Sequence, residues 1–281
     1  MKHGPEVNKI PPTLNPEETS TIIRDFIKTY VHNSGCNHVV LGLSGGIDSS
    51  VAAVLCTEAL GKNNVQCLFM PDTMTPQADT DHHKLLTNHF DIPCKTIAID
   101  AIIKQIQQSY AEKTKKMTLS NIKARARMIL LYTYANNKGG LVCGTSNKSE
   151  LLIGYFTKYG DGGADFYPLG DVYKTQIYQL AHYLKIPQPL ITKAPTAGLW
   201  KGQTDEKELG MTYETLDKIL YGLERQLDFS VIQKKANVSK SDVERIDMMV
   251  KKSQHKRRTP LILKLGLKTP GFDWRIPTQE G

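Results

Sequence analysis

The stretch from Leu41 to Ser50 constrains the fold of this chain more than any other part of the sequence. It includes the end of an apolar run, His38 to Leu43, whose valines and leucines predict a buried strand. Apolar residues after it recur at helical spacing, so the stretch predicts a strand, a glycine-rich turn and a helix. Because such a turn leaves backbone N–H groups unpaired at the start of a helix, it predicts a binding site for an anion such as phosphate.

Two general motifs can be tested against this turn. A Walker A loop ends in Gly-Lys-Ser/Thr, and no lysine lies between Gly42 and Gly61, so that loop is excluded. A nucleophile elbow, G-x-S-x-G, does match at Gly42, Ser44 and Gly46. A serine hydrolase that uses Ser44 with a later acid and His255 therefore stays open as an alternative.

A third motif in the same turn is Ser-Gly-Gly-Ile-Asp-Ser, in which Asp48 is placed to hold a metal ion on bound phosphates. The motif resembles the pyrophosphate loop of the ATP pyrophosphatases that adenylate a substrate. That group includes NAD synthetases, GMP synthetases, argininosuccinate synthetases and tRNA-thiolating enzymes. The resemblance implies that ATP is contacted by the residues of the turn, namely Gly42, Leu43, Ser44, Gly45, Gly46, Ile47, Asp48 and Ser49. One departure is Ile47, where many bacterial members carry glutamine.

Strands and helices alternate through the following part of the chain. Apolar runs predict strands at 65–70, 94–99 and 141–145, and helical spacing predicts helices at 79–90 and 121–135. Such alternation is typical of an α/β fold with a parallel, doubly wound sheet flanked by helices, and the C-terminal part is predicted to be helical. The resemblance implies the same class, the adenine-nucleotide alpha-hydrolase-like fold. Ligands of such sheets bind at the carboxyl ends of the strands, near the point where strand order reverses.

A second acidic residue, Glu150, follows a predicted strand end just as Asp48 does. If the first and fourth strands are neighbours, both carboxylates overhang one crevice. Mg²⁺ takes one or two carboxylates together with phosphate oxygens and water. The pair is therefore a candidate magnesium site.

Later motifs narrow the resemblance to the NAD synthetases. The segment 121–128, Asn-Ile-Lys-Ala-Arg-Ala-Arg-Met, resembles a segment of that family. The segment 156–165, Phe-Thr-Lys-Tyr-Gly-Asp-Gly-Gly-Ala-Asp, is close to a signature of its ammonia-dependent members. Arg125 and Arg127 are two positions apart on a predicted helix, so they are expected to serve different partners. The polar stretch 201–209 resembles a mobile loop that orders over bound substrates.

The resemblance implies a role for each matching residue. The residues implied to contact deamido-NAD are Arg125, Lys158, Asp165, His255 and Lys256. Beyond the glycine turn, ATP would be contacted by Thr145, Lys174 and Thr196, and Mg²⁺ by Asp48 and Glu150. Asp161 would lie near the incoming ammonia. The residues expected to carry the catalysis are Asp48, Lys174 and Asp161.

The activity implied is the ATP- and Mg²⁺-dependent amidation of deamido-NAD by free ammonia, through an acyl-adenylate, to give NAD, AMP and pyrophosphate. No glutaminase domain is expected in a chain of 281 residues. The same chemistry on nicotinate mononucleotide, giving NMN, stays open as an alternative. Members of the family are usually homodimers, so the resemblance also implies a homodimer.

A net charge of +8 favours an anionic partner. The basic run at 251–258 could bind a nucleotide or a nucleic acid, and the resemblance favours a substrate clamp, so no nucleic acid is expected as a partner. Residues 14–260 are predicted to form one domain between two tails, 1–13 and 261–281.

Hydropathy and cysteine usage indicate the compartment. No apolar run approaches the ~20 residues that a membrane helix needs, so no membrane partner is expected. The five cysteines are scattered and contain no C-x-x-C pair, and most of them lie in or beside apolar runs, where they are expected to be small core residues. We therefore expect a cytoplasmic protein.

Overall fold

One parallel sheet lies at the centre of the fold. The computed structural model describes residues 11–110, 112–196, 204–271 and 273–274. The strands of the sheet in these ranges are β1 (His38–Gly42), β2 (Val65–Phe69), β3 (Cys94–Thr96) and β4 (Gly140–Cys143). Their order is β3-β2-β1-β4, and every neighbouring pair is parallel.

Helices make up most of the remaining regular structure. The helices before β4 are α1 (Pro16–Asn33), α2 (Ile47–Leu60), α3 (Gln77–Phe90), α4 (Asp100–Tyr110) and α5 (Lys116–Lys138). Those after β4 are α6 (Lys148–Ile153), α7 (Lys174–Tyr183), α8 (Gln188–Ile191), α9 (Asp205–Leu209), α10 (Tyr213–Glu224), α11 (Phe229–Ala236) and α12 (Lys240–Lys252). None of the helices in the described ranges is long and apolar enough to cross a lipid bilayer.

The sheet is covered by helices on both faces, as predicted. Successive residues of β1 point to opposite sides, so Val39 and Leu41 pack in the cluster that includes α1, α2 and α7. Val40 belongs instead to a cluster with Ile103 of α4 and Ala135 of α5. A third apolar cluster joins α6 to the helices α9–α12, which form the helical C-terminal part.

The order of the strands determines where a ligand can bind. The chain runs from β1 outwards through β2 to β3, and then returns to place β4 on the other side of β1. Strand order therefore reverses between β1 and β4, whose carboxyl ends lie side by side, with Leu41 opposite Cys143. This is the position where doubly wound sheets bind ligands.

Several predicted boundaries differ from the structure. The strand predicted at 94–99 ends at Thr96, and the following residues lead into α4, which the sequence analysis did not predict. The signal was present in the sequence, because Ile103, Ile106 and Tyr110 recur at helical spacing, although only Ile103 is buried in the structure. α5 extends beyond the predicted 121–135 at both ends and stops where Gly139 adopts a left-handed conformation with φ +60°.

The described cysteines are free thiols. Cys56, Cys67 and Cys143 are buried, as expected for small core residues, whereas Cys36 and Cys94 are half-buried. Burial raises the pKa of Cys67 and of Cys143 well above the usual range, so these thiols stay protonated at neutral pH.

Candidate active site

The glycine turn after β1 is held in one conformation by its neighbours. Gly45 has φ +75°, which L-residues with a Cβ rarely adopt. A Cβ placed there would also lie 2.6 Å from the carbonyl oxygen of Asp79, at the start of α3. Gly46 then serves as the N-cap of α2. Both backbone conformation and close packing therefore require glycine at position 45.

The two serines of the turn bond to the turn itself. The Ser44 N–H donates to Ser49 Oγ at 3.2 Å, and Ser49 Oγ donates to the Gly46 carbonyl at 3.0 Å. The Gly46 N–H donates to Ser44 Oγ at 3.3 Å. None of these bonds involves a histidine, and His255 lies in a shallow pocket beside α12. The turn is thus braced as an anion cradle, and Ser44 has no base among these partners.

The carboxylates of Asp48 and Glu150 lie in the same crevice, as their positions after β1 and β4 predict. Asp48 is in the first turn of α2, and Glu150 is in the first turn of α6. Lys174, the first residue of α7, donates to Asp48 Oδ2 and, at 3.3 Å, to Glu150 Oε1. The lysine side chain is only 3% exposed. One buried ammonium group therefore bridges the two acids.

A buried asparagine fixes the same two acids from the other side. Asn147, the N-cap of α6, donates through Nδ2 to Asp48 Oδ1 at 2.9 Å. Its Oδ1 accepts the Glu150 N–H at 3.0 Å. The N-cap bond that starts α6 thus also orients Asp48.

Burial and charge act in opposite directions in this group. Burial raises the pKa of Glu150 to about 7, Asp48 and Asp205 add to the increase, and Lys174 opposes it. Burial alone would lower the pKa of Lys174, but Asp48 and Glu150 raise it above its usual range. The lysine is therefore charged at neutral pH and offsets the repulsion between the acids.

A buried carboxylate in the C-terminal part sets the starts of α6 and α7. Asp217 of α10 is 0% exposed and accepts hydrogen bonds from the Ser149 hydroxyl and from the N–H and hydroxyl of Thr175, both at 2.8 Å. Ser149 Oγ in turn accepts the Lys174 N–H at 3.0 Å. The donors are the immediate neighbours of Glu150 and Lys174 in the chain. Asp217 thereby ties the helix that carries the acid to the helix that carries the lysine.

The sequence analysis missed Asp217. The signal that could have revealed it is an acid between Leu216 and Ile219, on a strongly apolar helix face whose carboxylate must find buried partners. The identity of those partners depends on the contact of α10 with α6 and α7.

A third acid lies beside the pair. Asp205 is buried at the start of α9, and the hydroxyl of Tyr213 lies 3.1 Å from Asp205 Oδ2 and 3.5 Å from Glu150 Oε1. The Tyr155 hydroxyl donates to Asp205 Oδ1 at 3.2 Å. Part of the predicted loop at 201–209 lies outside the described residues, and the part from 204 onwards leads into the packed helix α9. This packing places Asp205 near the candidate metal site.

A cavity of about 580 Å³ opens above the glycine turn and the acid pair. The predicted residues that line it are Gly42, Leu43, Ser44, Gly46, Ile47, Asp48, Ser49, Thr145, Glu150, Asp161, Lys174, Thr196 and Lys256. The other predicted residues, Gly45, Arg125, Lys158, Asp165 and His255, lie outside this lining. The structure thus brings together the residues expected to contact ATP and Mg²⁺ more completely than those expected to contact deamido-NAD.

Two of the residues predicted to contact deamido-NAD brace the glycine-rich segment 154–165. Lys256 Nζ donates to the carbonyls of Gly154 and Phe156 at 2.7 and 2.8 Å. Asp165 accepts the Val142 N–H of β4 at 2.7 Å and the Tyr132 hydroxyl at 3.1 Å. The Asp165 contacts hold the end of the segment against β4 and α5, and the Lys256 contacts hold its start against the turn that follows α12.

The two arginines of α5 have different partners, as predicted. Arg125 is exposed and contacts the Lys158 carbonyl through Nε and Nη2 at 3.4 and 3.3 Å. Arg127, to which the sequence analysis gave no role, lines the cavity and donates from Nε to the Met70 carbonyl at 2.9 Å. It also lies 3.7 Å from Asp72, which pairs with Lys123 at 2.7 Å.

The donor set of the crevice fits Mg²⁺. No group of three or more His, Cys, Asp or Glu side chains in the described ranges is arranged to hold a metal ion alone. Asp48 and Glu150 supply two carboxylates beside an anion cradle, and Mg²⁺ typically combines such carboxylates with phosphate oxygens and water. The residues present therefore fit a magnesium ion that binds together with a phosphate group.

The fold and the site define an α/β protein with an anion-binding turn and an acid pair at the reversal of strand order. The family model described as NAD synthase matches residues 19–260. An NH(3)-dependent NAD(+) synthetase from Sulfolobus acidocaldarius is 46% identical over 272 residues, which cover 95% of this chain and 96% of the relative. The chain therefore belongs to the NAD synthase family and is a ligase of the ammonia-dependent NAD synthetase type.

Solved structures support the same assignment. The NMN synthetase from Francisella tularensis is similar to this chain with a TM-score of 0.80 at 34% identity, covering 90% of this chain and 100% of that one. An NH3-dependent NAD synthetase from Campylobacter jejuni, solved in complex with the nitrate ion, gives a TM-score of 0.76 at 34% identity with the same coverage. The predicted fold class is confirmed.

The requirement for glycine at position 45 can be measured against a matched glycine. Gly35 also has a left-handed φ of +70°, but a Cβ there would meet nothing within 4 Å. Both alanine variants should incur about 1–2 kcal/mol of backbone strain. Gly45→Ala should lose about 1–3 kcal/mol more, because the new methyl group displaces Asp79. Denaturant unfolding measures the difference, and equal losses would contradict the close packing described here.

Asp217→Asn tests the tie between α6 and α7. Asparagine has the same shape, but its NH₂ group cannot accept the hydrogen bonds that one carboxylate oxygen of Asp217 accepts. The residues that donate these bonds should therefore move, and Glu150 and Lys174, their neighbours in the chain, should move with them. Because Glu150 belongs to the predicted magnesium site, we expect the rate of NAD synthesis to fall about 10- to 100-fold and the Mg²⁺ concentration that gives the half-maximal rate to rise. The control is Asp228→Asn, at an exposed N-cap without a side-chain bond, which should change neither quantity. An unchanged Mg²⁺ requirement would mean that Asp217 serves stability alone.

Proposed function

We propose that the chain catalyses the ATP- and Mg²⁺-dependent amidation of deamido-NAD by ammonia, giving NAD, AMP and pyrophosphate. The observation that carries the proposal is the bridge from Lys174 to Asp48 and Glu150, directly beside the glycine turn and inside the main cavity. Family membership supports the reaction type.

The glycine turn is well suited to hold the pyrophosphate part of ATP. The N–H groups at the start of α2 point away from the helix, and the helix dipole adds a partial positive charge at the same end. Gly46 presents no side chain between this backbone and a bulky oxyanion. Lys174 would offset the negative charge that grows as pyrophosphate leaves.

The first step of the proposed reaction activates the acid. The nicotinate carboxylate attacks the α-phosphorus of ATP, and the bond to pyrophosphate breaks, which leaves an acyl-adenylate. Asp48 and Glu150 would hold Mg²⁺, which when bound neutralises phosphate charge. The remaining contribution of the protein is to position the two reactants and exclude water from the mixed anhydride.

The second step forms the amide. Ammonia attacks the acyl carbon, AMP leaves, and the nitrogen gives up a proton. Asp161 lines the cavity, and its Oδ1 accepts the Thr157 N–H at 2.9 Å. A carboxylate held at the cavity wall can accept a proton from the attacking nitrogen, and we assign that role to Asp161.

The dinucleotide would extend beyond the described cavity. Arg125 and Lys158 lie outside its lining, and Arg125 is exposed. If Arg125 and Lys158 contact the same dinucleotide whose reacting end lies near Lys174, part of that dinucleotide must lie outside the cavity. A second copy of the chain could cover that part. We therefore propose a homodimer with deamido-NAD at the subunit boundary.

A second substrate is favoured by one observation. The similar structure from Francisella tularensis is an NMN synthetase. The same crevice could adenylate the nicotinate carboxylate of the mononucleotide, because the reacting group is identical. The serine hydrolase alternative has less support, since the Ser44 hydroxyl lies 3.1 Å from Ser49 Oγ within the turn.

An amidation assay tests the proposal directly. The protein should form NAD, AMP and pyrophosphate from deamido-NAD, ATP, Mg²⁺ and ammonia, and all four should be required. Parallel reactions with nicotinate mononucleotide compare the two substrates through kcat/KM, and the dinucleotide should be preferred. Absence of pyrophosphate release, or ester hydrolysis without ATP, would contradict the proposed reaction.

The acid pair can be tested with substitutions that preserve shape. Asp48→Asn and Glu150→Gln should each lower the amidation rate by about 100-fold or more. Each variant removes a carboxylate proposed to hold Mg²⁺, and a weakly held metal ion neutralises less of the negative charge that grows on the phosphates. Glu214→Gln removes an equivalent charge from the surface pair with Lys218 and should leave the rate unchanged. An undiminished rate in either acid variant would disprove the role given to this pair.

A further inference from the structure

A lysine from a remote segment contacts the glycine turn. Lys193 Nζ donates to the Gly45 carbonyl at 3.1 Å and to Asp79 Oδ1 at 2.5 Å. Its side chain is 17% exposed and lines the main cavity together with Asp79. Lys193 is 148 residues away from Gly45 along the chain, so no local motif connects them.

Lys193 supplies a positively charged side chain, which the glycine turn itself lacks. The turn provides N–H donors and hydroxyl groups, but the sequence from Gly42 to Gly61 contains no lysine. The charge of Lys174 is already engaged by two carboxylates, those of Asp48 and Glu150. The Lys193 ammonium group adjoins the turn itself, where the charge of a bound pyrophosphate would be concentrated.

The surrounding contacts hold Lys193 in place before a ligand arrives. The backbone of Asp79 packs so closely on Gly45 that a Cβ there would lie 2.6 Å from its carbonyl oxygen. The start of α3, the glycine turn and the segment 193–196 therefore meet at one point. Asp79 gives the lysine a counter-charge, and a phosphate oxygen can replace it because both are anionic oxygen acceptors.

Building on the proposed function, we propose that Lys193 binds the pyrophosphate part of ATP, exchanging its contact with Asp79 for a contact with phosphate oxygens. Asp79 is then the counter-charge that phosphate oxygens displace from the ammonium group. The segment 193–196 lines the cavity, and the Pro195 carbonyl accepts the Asp205 N–H of α9 at 3.1 Å. Phosphate binding by Lys193 is thereby linked to the helix that carries Asp205.

The two members of the ion pair separate this proposal from a purely structural role. If the pair only stabilised the fold, Lys193→Ala and Asp79→Asn would each lower the free energy of unfolding, and neither would change the affinity of the folded protein for pyrophosphate. If Lys193 binds phosphate, its removal weakens binding, whereas Asp79→Asn removes a competitor for the ammonium group and preserves or strengthens binding.

Calorimetric titration of the full chain with inorganic pyrophosphate in the presence of Mg²⁺ measures this difference. We expect Lys193→Ala to raise the Kd about 10-fold or more, the typical effect of losing a hydrogen bond to a charged group. Lys193→Arg should recover most of the affinity, and Asp79→Asn should leave the Kd within about twofold of the wild type or lower it. The control is Lys62→Ala, which breaks the exposed pair with Asp91 and should change nothing.

Thermal unfolding of each variant accompanies the titration, and Lys193→Met, which keeps the aliphatic stem, replaces the alanine variant if that one does not fold. An unchanged Kd in the folded Lys193 variant, or an equal loss in Asp79→Asn, overturns the inference. The amidation assay on the same preparations keeps the two conclusions separate. If the wild-type protein binds pyrophosphate but makes no NAD, the proposed function is contradicted and the inference about Lys193 is not. If the wild-type protein makes NAD but the Lys193 variant binds pyrophosphate with an unchanged Kd, only this inference is contradicted.

Discussion

The interaction on which the site depends is the buried contact of one ammonium group with two carboxylates. Asp48 and Glu150 come from helices that follow adjacent parallel strands, so the topology itself forces like charges together. Burial already raises the pKa of Glu150 to about 7 with Lys174 present, and without the lysine the repulsion between the two acids would raise it further. Lys174 thus holds the two carboxylates side by side, as the predicted metal site requires. Because Lys174 is the first residue of α7, the fold must position the start of this helix as accurately as it positions the ends of the strands.

That accuracy comes from the helical C-terminal part. Asp217 accepts hydrogen bonds from residues adjacent to Glu150 and Lys174, and it is carried by α10, which belongs to a separate apolar cluster. The apolar packing of α10–α12 thus fixes a buried carboxylate, and the carboxylate fixes the polar crevice. A buried acid with an incomplete set of donors would be costly, and here both oxygens have partners. The helical part is accordingly a structural support of the catalytic crevice as well as a cover for the cavity.

Local sequence patterns were sufficient for the features that depend on short segments. The glycine turn, the central strands and the crevice shared by Asp48 and Glu150 follow from apolar runs and the rules of parallel sheets. The contacts of Asp217, Arg127 and Lys193 could not be predicted, because each depends on segments far apart in sequence that meet only after folding. α4 is a different case, since the helical spacing of Ile103, Ile106 and Tyr110 could have predicted it from the sequence alone. Residue roles taken from the family resemblance concern ligands, and they stay predictions that the assays above address.

The distribution of charge around the turn explains how an anion site can be ordered before its ligand arrives. Unpaired lysines at one cavity would repel each other and move freely, so a ligand would have to order them on binding. In this chain the two lysines nearest the turn and the acid pair have acidic partners, Lys174 with Asp48 and Glu150, and Lys193 with Asp79. In the proposed reaction, binding of a phosphate group exchanges one anionic partner for another, which requires little rearrangement of the protein. Such preorganisation would favour the state in which charge develops on the leaving pyrophosphate, because the ammonium groups would already lie where that charge is proposed to appear.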